Sequence, residues 1–264
     1  MDIENSECPI NIPAIENFTL NLIQTILSSS FESHFCLAGG CYKSLIHNKN
    51  PNDIDLWPAS EQDRLTLIKE LILKGGKIEY EGEFNTVIRF QTFDNEADNR
   101  QSTKAICNEN VLPCKTETSI AYRSGIDANF PNSTKTRDYN NFPRIEVTKK
   151  CPSSLEKCLA EFDLVLSCIG VELCKGKILK SIIHPEVQKD IANREVNLIK
   201  EWKLHNYNLL SLNRLHRYAN ELNFSVPQST LDFLWATAYF NRSEKEKNDL
   251  LQSANLSISD VPIS

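Results

Sequence analysis

The most informative part of this 264-residue sequence is LAGGCYKSLIHNKNPNDIDLW, residues 37–57. A short apolar strand ends at Gly39-Gly40, a helical turn and a polar loop follow, and a second strand begins with Asp53 and Asp55. Side chains at positions i and i+2 of a strand lie on the same face, so the two carboxylates converge. The stretch therefore predicts neighbouring strands with glycines at the end of the first and paired carboxylates on the second.

The residue types in this pattern favour phosphate chemistry. Two close carboxylates repel each other unless a divalent cation lies between them, and hard oxygen donors suit Mg²⁺. The absence of side chains at Gly39 and Gly40 lets backbone N–H groups approach a phosphate, to which the following helix start adds its positive end. A phosphate cradle beside metal-binding carboxylates predicts phosphoryl or nucleotidyl transfer.

The pattern resembles the nucleotidyltransferase superfamily named after DNA polymerase beta, which includes tRNA CCA-adding enzymes and minimal nucleotidyltransferases. Its signature is an apolar residue, a Gly-Gly or Gly-Ser pair, about a dozen spacer residues and Asp-x-Asp with apolar flanks. Gly39-Gly40 and Asp53-Ile54-Asp55 fit this signature. The resemblance covers about 30–93 and 144–227, where the later helices look like those of phage-type and bacterial members.

The resemblance implies a two-metal mechanism with two Mg²⁺ ions, for which Mn²⁺ can substitute. Asp53 and Asp55 would hold both ions. The family adds a third carboxylate on a later strand, and Asp163, in EFDLVLS, is the match that we expect. An acceptor hydroxyl would then attack the α-phosphate of an NTP and release pyrophosphate.

The sequence departs from the family beside the glycines. Cys41 stands where many members have a serine whose hydroxyl contacts phosphate, and a thiol is a weaker donor. Backbone N–H groups at Gly39, Gly40 and Cys41 would then carry more of that contact. Lys43 occupies a place where some members have a basic residue, and we expect it to reach a phosphate.

The periodicity of the chain predicts an α+β domain followed by a C-terminal helical domain. The resemblance implies that the first of these is a small mixed β-sheet nucleotidyltransferase core with flanking helices. The catalytic domain is expected at 1–183 and the helical domain at 184–264. Within the first, residues 94–143 are polar and aperiodic, which is typical of an insertion or lid. The segment 163–173 is predicted to be a buried strand, and 186–203 a helix.

Residues 175–217 contain nine Lys or Arg and four Asp or Glu, in a chain of formal net charge −6. One interpretation is a solvated helix face with i,i+4 ion pairs. The other places Lys180, Arg194, Arg214 and Arg217 around a triphosphate or an RNA backbone, because guanidinium groups bind phosphate bidentately. This basic segment favours an RNA 3′ end, such as that of tRNA, over a protein hydroxyl or a small molecule as acceptor.

Composition narrows the class of protein. Hydrophobic residues make up 41% of the chain, enough to fill a core, and the acidic average argues against a surface coated in nucleic acid. No apolar run is long enough for a membrane span, and the acidic N-terminus lacks the features of a secretory signal, which together predict a cytoplasmic protein. The sequence says nothing about oligomeric state.

The nine cysteines are read as reduced and mostly buried thiols. A zinc protein built on Cys107/Cys114 and Cys151/Cys158 is an alternative, although neither pair has the spacing of a zinc knuckle. The second functional hypothesis is a catalytically silent module of the same fold that binds a nucleotide or RNA, or acts as an antitoxin-like partner. The main hypothesis is a metal-dependent nucleotidyltransferase.

Overall fold

The computed structural model describes residues 10–47, 49–90, 143–199, 209–240 and 242–262. The predicted insertion at 94–143 lies almost wholly outside these ranges. The strands are β1 (His34–Ala38), β2 (Asp53–Pro58), β3 (Gly76–Glu81), β4 (Asn85–Phe90), β5 (Arg144–Thr148), β6 (Ile169–Cys174) and β7 (Lys177–Ile183). The helices are α1 (Ile12–Ile26), α2 (Ser44–His47), α3 (Glu61–Leu73), α4 (Leu155–Leu159), α5 (Pro185–Asn193), α6 (Leu210–Leu222), α7 (Gln228–Trp235) and α8 (Glu244–Ser253).

Helix starts follow local capping chemistry. The side chains of Asn11, Ser60 and Ser154 each accept a hydrogen bond from the backbone three residues on, at the starts of α1, α3 and α4. Ser243 and Glu246 form a reciprocal capping box at α8. These bonds satisfy N–H groups that have no partner inside a helix, so each boundary is fixed by its own sequence.

The described strands form one sheet of seven in the order β3-β4-β5-β2-β1-β6-β7. β2 and β5 run parallel, and the other neighbours are antiparallel. The predicted mixed sheet with flanking helices is confirmed. β2 lies near the middle of the sheet, between β1 and β5, so functional side chains on β2 have a strand on either side.

The two faces of the sheet are covered by different helices. On β1, Phe35 and Leu37 point into the main apolar core, which also contains buried residues of α1, α6 and α7. Cys36 pairs across from Trp57 of β2 and lies on the other face, in a smaller cluster with α4. Because side chains alternate along β2, Asp53 and Asp55 share the face of Trp57. The two carboxylates therefore lie on the α4 side.

Two segments differ from the sequence prediction. The strand expected from Asp163 begins only at Ile169, because Leu164 instead bridges to Leu198 and a 3-10 turn occupies Val165–Ser167. The helix expected over 186–203 ends at Asn193, after which Arg194 adopts a left-handed conformation. The following residues pair with the segments around Leu164 and Ser225 rather than continuing a helix.

The main core crosses the predicted domain boundary. Buried residues from both sides of position 183 belong to the same apolar cluster, among them Leu166, Val171, Leu215 and Leu234. The division into 1–183 and 184–264 remains a prediction. Within the described ranges, no helix combines the length and apolar character needed to cross a bilayer.

Candidate functional site

The carboxylates of β2 stand on a strand whose other face is buried. Ile54 and Leu56 have no exposed surface, whereas Asp53 and Asp55 are half-buried. The alternation follows from the pleat: apolar residues fill the core and the intervening residues face the opposite side. As predicted, Asp53 and Asp55 lie on one face of a strand.

A third acidic residue lies beside them on the neighbouring strand. β5 runs parallel to β2, and the register pairs Asp55 with Glu146. The Glu146 carboxylate also accepts hydrogen bonds from the side chains of Asn85 and Arg144. Three carboxylates from two adjacent strands therefore gather at this part of the sheet.

Burial, together with this gathering of carboxylates, raises the pKa of Asp55. Burial raises the pKa of its carboxyl from an ordinary 3.8 to about 8, and the negative charges of Asp53 and Glu146 contribute in the same direction. Arg144 and Arg217 oppose the rise without cancelling it. The neighbouring carboxylates thus add to the effect of burial, and the two guanidinium groups offset only part of it.

Asp163 comes from the segment between α4 and the 3-10 turn, not from a strand. Its Oδ2 atom accepts a hydrogen bond from Ser211 Oγ at 2.6 Å and lies 2.5 Å from Arg214 Nη2. Both partners belong to α6, so this buried carboxylate fastens α6 to the sheet domain. Its predicted role as a metal ligand stays a prediction.

A cleft of about 190 Å³ brings most of the predicted residues together. Its walls include the predicted catalytic carboxylates, two from β2 and one from the segment that follows α4. They also include cationic side chains from α6 and from the segment after β1. The lining residues are Gly40, Lys43, Asn52, Asp53, Asp55, Phe162, Asp163, Ser167, Arg214, Arg217, Tyr218 and Glu221.

The two glycines make room for neighbouring rings. Gly39 has a φ of 97°, and a Cβ there would lie 2.8 Å from the ring of Phe162. Its N–H donates to the carbonyl of Ile169, so that group is engaged within the sheet. A Cβ at Gly40 would lie 2.5 Å from the hydroxyl oxygen of Tyr218. Both positions thus require glycine for packing, and Gly40 lines the cleft.

Helix α6 presents one face to the cleft. Arg214, Arg217, Tyr218 and Glu221 recur at intervals of three or four residues, which puts them on one side of a helix. Tyr218 is buried, and its hydroxyl is 3.0 Å from Ser167 Oγ. The basic and aromatic groups of the cleft are therefore positioned by a single helix.

Lys43 meets this face of α6 directly. Its ammonium forms an ion pair with Glu221 and lies 3.7 Å from the centre of the Tyr218 ring. Arg217 Nε is 4.0 Å from the other oxygen of the same carboxylate. Glu221 thus lies between two of the predicted phosphate-binding cations.

Four predicted nucleotide-binding residues do not line the cleft: Gly39, Cys41, Lys180 and Arg194. Cys41 is buried beneath it, where burial and the charges of Asp55 and Asp53 raise the pKa of the thiol. Lys180 pairs with Glu156 on an exposed surface, and the guanidinium of Arg194 donates to the carbonyl of Asn223 at 3.1 Å. Neither contact is an i,i+4 helix pair of the kind that the alternative interpretation expected, and phosphate binding by Lys180 and Arg194 stays a prediction.

Sequence reasoning did not identify Glu146, Tyr218 or Glu221 as site residues. Glu146 carried a usable signal, since it is the single acidic residue in the apolar alternation of the strand RIEVT. Tyr218 and Glu221 are spaced three apart on the same helix as Arg214 and Arg217, but only the approach of α6 to β2 reveals their place.

The donor chemistry fits magnesium at Asp53 and Asp55. Among the described residues, no three His, Cys, Asp or Glu side chains are arranged to enclose an ion. Asp163 and Glu146 both accept hydrogen bonds from protein donors. The acidic groups facing the cleft offer oxygen atoms alone, which Mg²⁺ prefers, while the nearby Cys41 thiol is buried behind them.

Solved structures with this fold include tRNA-processing enzymes. A CCA-adding enzyme in complex with ATP gives a TM-score of 0.50 at 11% identity, covering 93% of this chain and 48% of that one. An apo tRNA-processing enzyme gives 0.49 at 14% identity, covering 86% and 48%. A tRNA nucleotidyltransferase complexed with a primer tRNA and an incoming ATP analog gives 0.47 at 14% identity, covering 84% and 57%.

The chain spans about half the length of the first solved proteins that it matches. At 11% identity, the likeness to the CCA-adding enzyme in complex with ATP shows a shared fold alone. No curated protein matches the sequence. A family model described as Gabija anti-defense 2 family protein matches residues 14–194, which include the whole sheet and most of the cleft-lining residues. This chain therefore belongs to the Gabija anti-defense 2 family.

Proposed function

We propose that this chain is a magnesium-dependent nucleotidyltransferase, which moves an NMP from an NTP to an acceptor hydroxyl. The observation that carries the proposal is the pair Asp53 and Asp55 on one face of β2, next to Glu146 and at a cleft with three cationic side chains. The raised pKa of Asp55 supports it, because a bound cation would balance this clustered negative charge.

Asp53 and Asp55 would hold the metal. Two residues, Asp163 and Glu146, are candidates for the third carboxylate. Asp163 is the residue expected from the sequence, but Ser211 and Arg214 engage its Oδ2. Glu146 is paired with Asp55 across adjacent strands, and its carboxylate also accepts hydrogen bonds, from Asn85 and Arg144. Bound Mg²⁺ supplies charge neutralisation and activation of the acceptor hydroxyl. We propose Glu146 as the third carboxylate, with Asp163 as the alternative.

The cations of the cleft serve the triphosphate. Lys43, Arg214 and Arg217 lie on the side of the cleft formed by Gly40 and α6, where they can bind phosphate oxygens. In the reaction, the acceptor oxygen forms a bond to the α-phosphorus while the α–β anhydride bond breaks. Pyrophosphate leaves, and the hydroxyl proton passes to water. Positioning and charge neutralisation supply most of the acceleration.

The family name provides the biological setting, namely action against the Gabija defence. We propose that nucleotidyl transfer is the chemistry used there. An RNA 3′ end, as in tRNA, is the first acceptor to test, followed by a protein hydroxyl and a small molecule. None of the six cysteines among the described residues forms a disulfide, which supports the predicted cytoplasmic location, where thiols remain reduced.

The test is transfer of radiolabel from each α-labelled NTP, with Mg²⁺, to RNA, protein or small molecules from a bacterial extract. We expect the wild-type chain to label one acceptor class and release pyrophosphate, and Asp55→Asn to do neither. Loss of transfer in Glu146→Gln with retention in Asp163→Asn would assign the third carboxylate to Glu146. The reverse pattern would assign it to Asp163. Labelling by Asp55→Asn at the wild-type rate would contradict the proposal.

A catalytically silent binding module is the second candidate. The specific observation in its favour is that Lys43 and Arg214 both form ion pairs within the protein. This function predicts saturable NTP or RNA binding without pyrophosphate release in any acceptor mixture. The same labelling experiment, combined with an equilibrium binding measurement, separates it from the enzyme.

A further inference from the structure

We propose that Glu221 is an exchangeable counter-ion in the cleft. It pairs with Lys43 and Arg217 when the triphosphate is absent. These ion pairs break when the pyrophosphate part of an NTP binds, and they form again when pyrophosphate leaves. The inference deepens the proposed nucleotidyl transfer and rests on it. It assigns Glu221 a role in setting affinity for the leaving group rather than in the bond-making step.

The contacts of Glu221 put it in competition with phosphate. One carboxylate oxygen pairs with the ammonium of Lys43, and the other is 4.0 Å from Arg217 Nε. The Lys43 side chain is 12% exposed, so its ammonium has limited access to water. An anion that binds both cations at once therefore competes with the carboxylate that now neutralises them.

The pair also lies where two recesses meet. The catalytic cleft and a second recess of about 170 Å³ share Gly40, Lys43, Asn52, Asp53 and Glu221. The second recess continues past the shared residues to His47 and Lys49. An NTP whose α-phosphate lies near Asp53 would extend its β- and γ-phosphates along this side, against the contact between Lys43 and Glu221.

Glu221 is easier to displace than the other acidic partner in the cleft. Asp163 is only 6% exposed, and Ser211 and Arg214 both engage it. The Glu221 side chain is 30% exposed and lies in the last turn of α6, so it can rotate into water when its partners change. A pyrophosphate group carries more negative charge than one carboxylate, which favours the exchange in its presence.

The expected consequence is that the carboxylate of Glu221 weakens phosphate binding in the cleft. Removing the competing charge leaves Lys43 and Arg217 unpaired and open to phosphate. A partly exposed ion pair of this kind contributes up to about 1 kcal/mol, so we expect Glu221→Gln to bind pyrophosphate about fivefold more tightly. Its release should slow by a similar factor, which lowers KM for the NTP together with kcat.

The experiment measures equilibrium binding of pyrophosphate and of ATP, each with Mg²⁺, to the full chain by calorimetry. The variants are Glu221→Gln, Lys43→Met and the double variant. We expect the gain from Glu221→Gln to shrink to less than about twofold in the Lys43→Met background, since only the more distant contact with Arg217 remains there. Glu244→Gln is the matched control, because it removes a surface ion pair with Lys247 and should leave both affinities unchanged.

Two results would overturn the inference: equal or weaker pyrophosphate binding by Glu221→Gln, or the same gain with and without Lys43. Glu221→Asp guards against a folding defect. It keeps the charge but shortens the side chain, so it should fall between the wild type and Glu221→Gln. A folded wild-type chain that binds neither ATP nor pyrophosphate would instead contradict the proposed function.

Discussion

Replacing Asp55 by Asn should stabilise the metal-free protein above neutral pH. The carboxyl has a pKa of about 8 in the folded chain, against an ordinary value of 3.8. The folded state therefore binds one more proton than the unfolded state between about pH 4 and pH 8. Its stability falls as pH rises through that window, because the fold opposes ionisation of this group. Asn has the same shape and never ionises, so the variant escapes the loss.

The magnitude follows from the same shift. A pKa raised by about four corresponds to roughly 5 kcal/mol once the group is ionised in both states, which happens above pH 8. Asp55 is half-buried, and access to water reduces this figure, so we expect a difference of about 2 to 3 kcal/mol. The two proteins should have the same free energy of unfolding near pH 4 and diverge as pH rises.

The assay is urea unfolding of both chains in EDTA from pH 4 to pH 9. Asp232→Asn makes the same chemical change at an exposed residue of α7 and should show no pH-dependent difference from wild type. Adding Mg²⁺ at pH 8 should stabilise the wild type and leave Asp55→Asn nearly unaffected, because the carboxylate is needed to hold the ion. A difference that stays constant across the pH range, or a less stable Asp55→Asn at pH 8, would refute the reasoning.

Three further predictions concern packing and activity. Gly40→Ala should reduce nucleotidyl transfer at least tenfold, because the added methyl pushes Tyr218 aside. Adding Tyr218→Phe removes the clashing hydroxyl and should restore part of the activity. No rescue in the double variant would mean that the added methyl acts elsewhere. Asp190→Ala should lower the free energy of unfolding by about 2 to 3 kcal/mol, because two hydrogen-bond donors of Asn197 lose their acceptor. The measurement is urea unfolding at pH 7, where a change below about 0.5 kcal/mol would contradict this. Burial raises the pKa of Asp190 to about 6. The wild type should therefore lose stability relative to Asp190→Asn as pH rises from about 4 to about 6. A gain in stability over that range would be inconsistent with the structure.

The sequence was sufficient where local chemistry decides the structure. The pair Asp53 and Asp55 could be placed on one strand face because alternation has a fixed period, and the boundary of α3 follows from the Ser60 cap. The mixed sheet was predictable from its resemblance to a known fold. These features depend on neighbours along the chain or on a motif with fixed spacing, so they required no knowledge of distant contacts.

The rest depends on contacts between distant parts of the chain. Asp163 precedes an apolar run that has the composition of a strand, yet Leu164 bridges to Leu198, and the strand starts only at Ile169. Glu146 belongs to the site because β5 pairs with β2, although a long segment of the chain separates the two strands. No periodicity in RIEVT indicates which strand will lie beside it. Pairing between strands far apart in sequence is the information that a single sequence lacks.

The glycine pair has a packing role that the sequence did not reveal, while the predicted phosphate contact of these residues stays a prediction. The sequence favoured backbone donors for phosphate, but the N–H of Gly39 is bonded to Ile169 within the sheet, and Gly40 accommodates the hydroxyl of Tyr218. That contact joins the end of β1 to α6, which also carries Arg214, Arg217 and Glu221. Gly40 therefore leaves room for α6 to approach. The cations of α6 line the same cleft as Asp53 and Asp55, so a side chain at Gly40 should disturb the phosphate side of the cleft while leaving Asp53 and Asp55 in place.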